Sequence, residues 1–495
     1  MVTQDLVASL GVIQPELILA GAAVLCILAD LFWKDPDKSL CWILAAMGIV
    51  GALAATILSW GIRQTGFYEL VRMDNFSNFF NLIFLASGLL TLFLSDGFVR
   101  RERIAAGEYY SLLLVCLCGM LFMASSNDLM TVFVGLELMS IPVYILSGLL
   151  KSEPKSPEAA LKYLLLGAFA SAFLLFGIAL TYGAAGTTNL PALLEKVSRG
   201  GLGASPMFLA GAGFLLVGLG FKVSLVPFHM WTPDVYEGAP TSVTAFMSVA
   251  VKAAGFSILI RIVVLSLQPL AADWSRIFWC LAVATMVLGN VVALVQENIK
   301  RMLAYSSIAH AGYVLVALTP GTETGVKAAL IYLFIYFLMN LGAFGVVIAL
   351  SRKGDRGVQI EEYAGLARKH PVYGLVMAVF MFSLAGIPPT GGFIGKFYAF
   401  SAAVQAGYIW LAVIGVLMSA VSAYFYLRVL VVMYMHEPAV QAEAPEPRFA
   451  DLPGAAFGLV VSLLLCTVAV LALGVWPGLL TQIAQKAVNG LLPSL

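Results

Sequence analysis

Charge is what this sequence has least of. Only 11% of its 495 residues are charged and four are histidine, whereas soluble globular proteins carry about 25% charged residues. A soluble surface cannot be built from so little. Nor does either sign dominate: the net charge is +1, which leaves no basic footprint for nucleic acid and no acidic bias. The first 33 residues contain no Lys or Arg, so the positive n-region of a secretory signal is missing and the first apolar stretch reads as a permanent span. Six cysteines occur and none stands in a CxxC pair. Cys116 and Cys118 are two apart, about 200° around a helix, and cannot share a metal. Iron–sulfur clusters and structural zinc are thereby excluded, and all six read as buried packing residues.

What the chain has instead is apolar length. Sixty-one per cent of it is hydrophobic and its mean hydropathy is +0.95, so lipid is its solvent. A span needs ~20 mainly apolar residues. Fourteen such stretches are expected, near residues 15–33, 40–60, 75–95, 109–125, 128–150, 161–183, 207–229, 242–266, 275–295, 302–319, 326–350, 372–397, 406–434 and 455–476. The expected fold is therefore an all-α polytopic membrane protein. Segments 96–108, 151–160 and 351–370 are polar enough to stand in water, and 436–452, rich in Pro and Glu, reads as a flexible surface segment. Odd-numbered connections carry sixteen Lys and Arg, even-numbered ones and the C-terminal segment seven. By the positive-inside rule the odd connections are cytoplasmic and both termini face outside.

Some charges stand inside spans. Lys222, Lys252, Lys396, Arg261 and Arg428 are the basic ones, and Glu137 is the clearest acidic one. A charge at mid-bilayer costs at least ~2.5–3.5 kcal/mol, so four unpaired would cost on the order of 10 kcal/mol. That rivals the net stability of an ordinary domain. Pairing or internal water must offset it. Burial disfavours the charged form of Lys and Glu alike, so a neighbouring charge can flip either group, which suits proton transfer. Pro227 stands five residues beyond Lys222, and Pro388, Pro389, Gly391 and Gly392 precede Lys396. Proline removes a helical hydrogen bond, and broken helices at membrane depth line cavities in transporters. The seventh and twelfth helices are thus expected to be discontinuous.

A spacing repeats. Lys222 and Lys396 are 174 residues apart, Glu137 and His310 173. Each half would carry one ionisable group on an intact helix and one on a broken helix. The expected organisation is three N-terminal spans (1–106), two repeated five-helix units (107–270 and 271–436) and a loop with a last span (437–495). Blander readings stand beside these. Arg261 and Arg428 lie nearer helix ends, where snorkelling accounts for them. His310 reads equally as a polar residue satisfied by a carbonyl, and His229 as the marker of a helix mouth. For Glu137, Lys222, Lys252 and Lys396 the alternative is a structural ion pair. Asp234 and Glu237 read as loop residues.

The segment FKVSLVPFHMWTPDVYEGAPT at 221–241 resembles the seventh-to-eighth-helix signature of the proton-translocating antiporter-like family, and KRMLAYSSIAHAGY at 300–313 its tenth-helix motif. That family contains three large membrane subunits of respiratory complex I and subunits of Mrp-type cation/proton antiporters. LKYLLLGAFASAFLLFG at 161–177 and LAGIPPTGGFIGKFY at 384–398 are similar to the N type within it. A Lys at position 396 fits the N and L types, whereas the M type has Glu. The L type also has a long C-terminal lateral helix, for which the residues after the last span leave no room. The resemblance implies that Glu137 and Lys222 form a modulating pair, with Lys252 a central relay group and Lys396 the outward exit. Lys162 matches a further lysine nearer the cytoplasm, and His229 and His310 become accessory groups. It implies no cofactor on this chain, with NADH, flavin, iron–sulfur clusters and quinone on partner subunits of a bacterial inner-membrane complex. No Gly-rich dinucleotide fingerprint follows a strand. An Mrp-type antiporter or a membrane-bound hydrogenase subunit is the alternative.

Overall fold

The computed structural model describes residues 2–33, 39–437 and 456–491. In lipid a backbone must satisfy its own polar groups, and the long apolar stretches do so as helices. In chain order these are α1 Gln14–Phe32, α2 Ser39–Leu58, α3 Asn75–Arg101, α4 Ala106–Ser125, α5 Leu129–Ser147 and α6 Lys155–Ala185. There follow α7 Pro206–Lys222, α8 Thr241–Leu265, α9 Ala271–Ala293, α10 Ile299–Leu318 and α11 Glu323–Leu350. The last are α12 Pro371–Ala385, α13 Gly391–Gln405, α14 Ile409–Met435, α15 Ala456–Val475 and α16 Gly478–Leu491. Each expected span falls on a helix, and the twelfth falls on two. Among the described residues eleven helices are long and apolar enough to cross a membrane, with α7 and α12 shorter apolar ones. The segment expected to be flexible at 436–452 lies, from 438 on, outside the described residues, as do Lys34, Lys38 and Arg448.

Two helices form the core. The apolar window of α8 is buried along all of its length, and that of α11 along 94%, as expected of helices hydrophobic all round. Between lipid-embedded helices, small residues let backbones approach. Gly177 of α6 and Gly211 of α7 do this: a Cβ on Gly177 would stand 2.8 Å from the Leu215 nitrogen.

The odd-numbered connections meet at one end of the bundle. Gly354 N–H donates to Glu102 (3.1 Å), Lys300 pairs with Asp355 (2.8 Å), and Asp355 also accepts from Thr241 N–H (2.9 Å). The even-numbered ones meet at the other, where Arg63 donates to the carbonyls of Asn489 and Gly490 (2.9 and 2.7 Å). This parity is what repeated crossings produce.

Several features depart from expectation. A small antiparallel hairpin, β1 Gln64–Gly66 and β2 Val71–Met73, joins α2 to α3. Short helices Val2–Val12, Leu190–Ser198 and Trp231–Gly238 and the C-terminal α16 were not foreseen. Cys280 is exposed, while the other five cysteines are buried. Arg261 does not snorkel. It is fully buried and forks onto Asp74, itself fully buried, through two 3.1 Å bonds. Arg72 adds a third contact at 3.2 Å. Asp74 also caps α3, so one carboxylate ties the hairpin, α3 and α8 together.

Candidate functional site

The first break follows Lys222. Pro227 has no N–H to donate, and residues 223–230 leave the helix. The carbonyls so released find other donors: Leu225 N–H reaches Gly220 (2.8 Å) and the Trp231 indole reaches Phe221 (2.9 Å). Lys222 thus ends α7 with a side chain only 1% exposed. Its Nζ donates to Ser140 Oγ at 2.6 Å and lies 3.4 Å from Tyr144 OH, both on α5. The rings of Tyr144 and Tyr163 flank it at 5.3 and 5.5 Å.

Glu137 does not meet it. This carboxylate accepts from Ser171 Oγ of α6 at 2.5 Å, and no ion pair joins it to Lys222 among the described residues. The two members of the expected modulating pair thus bond to different partners, Ser171 and Ser140. Glu137 is half-buried and shares a stripe of α5 with Val134 and Ile141, 59% and 53% exposed. Ser140, three residues on and about 60° around the helix, is the α5 group that turns to α7.

Lys252 lies on α8, directly after a π-helical turn at Met247–Val251, a feature frequent at functional sites. It is 2% exposed and donates to the Ser307 carbonyl at 2.6 Å and to the Ser307 hydroxyl. One turn along α8, Gly255 packs against the Lys222 side-chain base. His310, three residues beyond Ser307 on the intact α10, is buried between two tyrosines. Its Nδ1 is 2.7 Å from Tyr332 OH and its Nε2 3.1 Å from Tyr426 OH.

The second break separates α12 from α13. The helix stops at Ala385, Gly386 takes a φ of 87°, and Thr390 Oγ donates to the Ile387 carbonyl (2.7 Å). Gly392 N–H donates to Ser383 Oγ (3.0 Å). Lys396, one turn into α13 and 4% exposed, points back at the break. Its Nζ donates to the carbonyls of Leu384 and Ala385 (3.0 and 2.8 Å) and to Ser419 Oγ (2.7 Å). A cation at a helix C-terminus is where the dipole favours it. Beyond it, an apolar groove of about 820 Å³ opens between α13 and α14, walled by Phe397, Phe400 and Val416 among others. The interruption expected before Lys396 is found at 386–390.

A third cluster was not read from the sequence. Lys162 pairs with Glu158 (2.9 Å) and Asp234 (2.7 Å). Arg301 reaches Asp234 (2.7 Å) and Glu237 (3.0 Å), and Lys155 reaches Glu237 (2.7 Å). These groups line a polar cavity of about 200 Å³. Burial pushes both carboxyls of the short helix up, but their hydrogen bonds to the cations together outweigh it and hold them below the usual carboxylate range. Asp234 and Glu237 are therefore not loop residues; their i, i+3 spacing was the available signal. His229, in the first break, is half-buried, and among the described residues its Nδ1 has no hydrogen-bond partner and it joins none of the lysines. The hydroxyl partners Ser140, Ser307, Ser419, Tyr332 and Tyr426 were also missed, because single hydroxyls in apolar runs carry no pattern.

Comparison with known proteins follows this geometry. A family model described as "NADH:quinone oxidoreductase/Mrp antiporter, TM" matches residues 126–422. The chain is 48% identical to NADH-quinone oxidoreductase subunit N of Trichlorobacter lovleyi over 97% of both proteins. It is 38% identical to a chain of respiratory complex I from Thermus thermophilus, with a TM-score of 0.79 over 94% of this chain and 98% of that one. A chain of the Mrp complex from Dietzia shares the fold (TM-score 0.84) at 23% identity over 99% and 98%.

Proposed function

The chain belongs to the NADH:quinone oxidoreductase/Mrp antiporter family and is a proton-translocating membrane subunit of a respiratory complex of the complex I type; from that premise we propose that Lys222, Lys252 and Lys396 carry its protons. Glu137 modulates Lys222 from the α5 stripe, through Ser171 and the helix they share contacts with rather than by a direct pair. Lys252 is the central relay and Lys396 the outward exit. Lys162, His229 and His310 are accessory groups. The units 107–270 and 271–436 act as two halves of one transport path, flanked by 1–106 and 437–495. Hydride and electron chemistry belongs to partner subunits that hold NADH, flavin, iron–sulfur clusters and quinone. The chain lies in a bacterial inner membrane with both termini on the periplasmic side.

One observation carries this reading. Three lysines, 1%, 2% and 4% exposed, are bonded to hydroxyls and carbonyls and, among the described residues, to no carboxylate. A buried structural lysine is normally locked by an anion, because an uncompensated charge there costs several kcal/mol. A lysine bonded only to neutral groups can lose and regain its proton. The likeness to the Mrp chain, at 23% identity, supports the fold alone and not cation antiport. The test is the assembled complex in membrane vesicles. Lys222→Ala should lower proton pumping and slow electron transfer while assembly persists, and Lys222→Arg should be impaired too, since Arg keeps its proton. Full activity and full pumping in both variants would reduce Lys222 to a structural residue.

A further inference from the structure

Positive charge is left unbalanced at the end of the bundle where the even-numbered connections meet. Arg63 precedes β1 and Arg72 stands in β2, and both donate into the C-terminus of α16. Arg63 reaches the carbonyls of Asn489 and Gly490 (2.9 and 2.7 Å), and Arg72 that of Gly490 (3.3 Å). Arg72 and Arg261 share Asp74, and Lys486 of α16 adds a fourth cation. Among the described residues no other carboxylate pairs with any of the four. Burial holds the Arg72 guanidinium below its ordinary range; Asp74 opposes that, and the like charges of Arg261 and Arg63 add to it.

Beside these groups opens a polar cavity of about 320 Å³, lined by Gly61, Arg63, Asn75, Lys486, Asn489 and Gly490 and, among the described residues, by no carboxylate. Asn75 braces its wall, accepting from Gly61 N–H (2.7 Å) and donating to the Lys486 carbonyl (3.5 Å). Arg63 uses only Nη2 on the helix end. Its Nε and Nη1, and the Lys486 ammonium, make no hydrogen bond among the described residues, and both side chains are exposed. Next to the cavity the chain is apolar: Ile57, Leu58 and Ile62 are 56%, 81% and 45% exposed. Leu58 is the last residue of α2, so the cavity stands where hydrocarbon meets water.

We propose that this cavity holds the phosphate of an anionic phospholipid from the leaflet on that side, with its acyl chains along Ile57, Leu58 and Ile62. Charge complementarity selects the headgroup. A phosphodiester offers one negative charge and two free oxygens to the idle donors of Arg63 and Lys486, and hydrogen bonds between ionised groups are the strong ones. A zwitterionic lipid would set its own ammonium beside Lys486. The exposed apolar residues select a lipid over a free phosphate, which would leave them uncovered. Seated there, the phosphate ties the hairpin side to α16 and lowers the repulsion on Arg72, leaving Asp74 to its fork with Arg261. The inference does not depend on the role of the buried lysines.

The test uses the intact complex in vesicles containing phosphatidylglycerol with a photoactivatable diazirine beside the ester group, and reads the labelled peptides by mass spectrometry. Labelling is expected on residues 57–63 and on α16, displaced by unmodified phosphatidylglycerol but by neither phosphatidylcholine nor millimolar inorganic phosphate. Each cation near an anionic lipid contributes a factor of about five in affinity. Lys486→Gln should therefore require about fivefold more lipid for half-maximal labelling of this site, and Lys486→Arg should restore it. Labelling elsewhere on the complex should stay unchanged, which a general loss of structure would not allow. Arg63→Gln should weaken the site at least as much; should it fail to assemble, because Arg63 also holds the end of α16, Lys486→Gln carries the test alone. Equal labelling by a phosphatidylcholine probe, or an unchanged half-maximum in Lys486→Gln, would overturn the site. Displacement by inorganic phosphate would overturn the lipid and make this a free-anion site.

Discussion

Replacing Lys396 separates what this residue holds from what it carries. Its ammonium is the donor to the Leu384 carbonyl at the end of α12 and one of two donors to that of Ala385, the other being Ser419 Oγ at 3.2 Å. Lys396→Ala therefore strands the buried Leu384 oxygen, at about 1–3 kcal/mol, and removes a cation from a helix C-terminus, at about 0.3–1 kcal/mol and up to ~2 kcal/mol when buried. The Ala385 oxygen keeps Ser419. A loss of roughly 2–4 kcal/mol follows from these two terms, enough to lower the thermal midpoint of the complex measurably. Lys396→Arg keeps the charge and can keep the carbonyl bonds, since the 820 Å³ groove beside it has room for a longer head. It should hold stability close to that of the unchanged protein while abolishing most pumping, because a guanidinium does not release its proton. Thermal unfolding of detergent-purified complex, read with dye-based proton pumping in vesicles, measures both. An Arg variant that pumps normally would refute a cycling proton at Lys396. An Ala variant as stable as the original would refute its role in closing the broken helix.

Ser140→Ala should leave Lys222 with Tyr144 alone, at 3.4 Å, and lose a charge-assisted bond of about 1.5–3 kcal/mol; pumping should fall with Lys222 itself intact, and unchanged pumping would argue against this contact. Asp74→Ala leaves the buried Arg261 without its fork and should destabilise by about 3–5 kcal/mol, read as lost assembly on native gels; a variant assembling at full yield with an unchanged thermal midpoint would contradict the latch. With Cys280, the exposed cysteine, first changed to Ser, a cysteine placed beside Arg356 should react only from the cytoplasmic side and one beside Lys196 only from the other. The opposite labelling would reverse the orientation.

Hydropathy alone determined that this is a helical membrane protein, because in lipid a twenty-residue apolar stretch has hardly another way to satisfy its backbone. It also exposed Lys222, Lys252 and Lys396, since charge at mid-span is conspicuous against so apolar a background. Pro227, Pro388 and Pro389 marked both breaks for the same local reason, a missing donor. Partnership was a different matter. Whether Glu137 meets Lys222 depends on how α5 is turned against α6 and α7, and a 60° difference gave that contact to Ser140 instead. Arg261 read as a snorkelling residue until the hairpin carried Asp74 to it from 187 positions away. The tyrosines around His310 come from α11 and α14, 22 and 116 residues further on. Single hydroxyls and distant carboxylates have no period and little hydropathy, so only packing of one helix on another decides which buried cation or imidazole they serve.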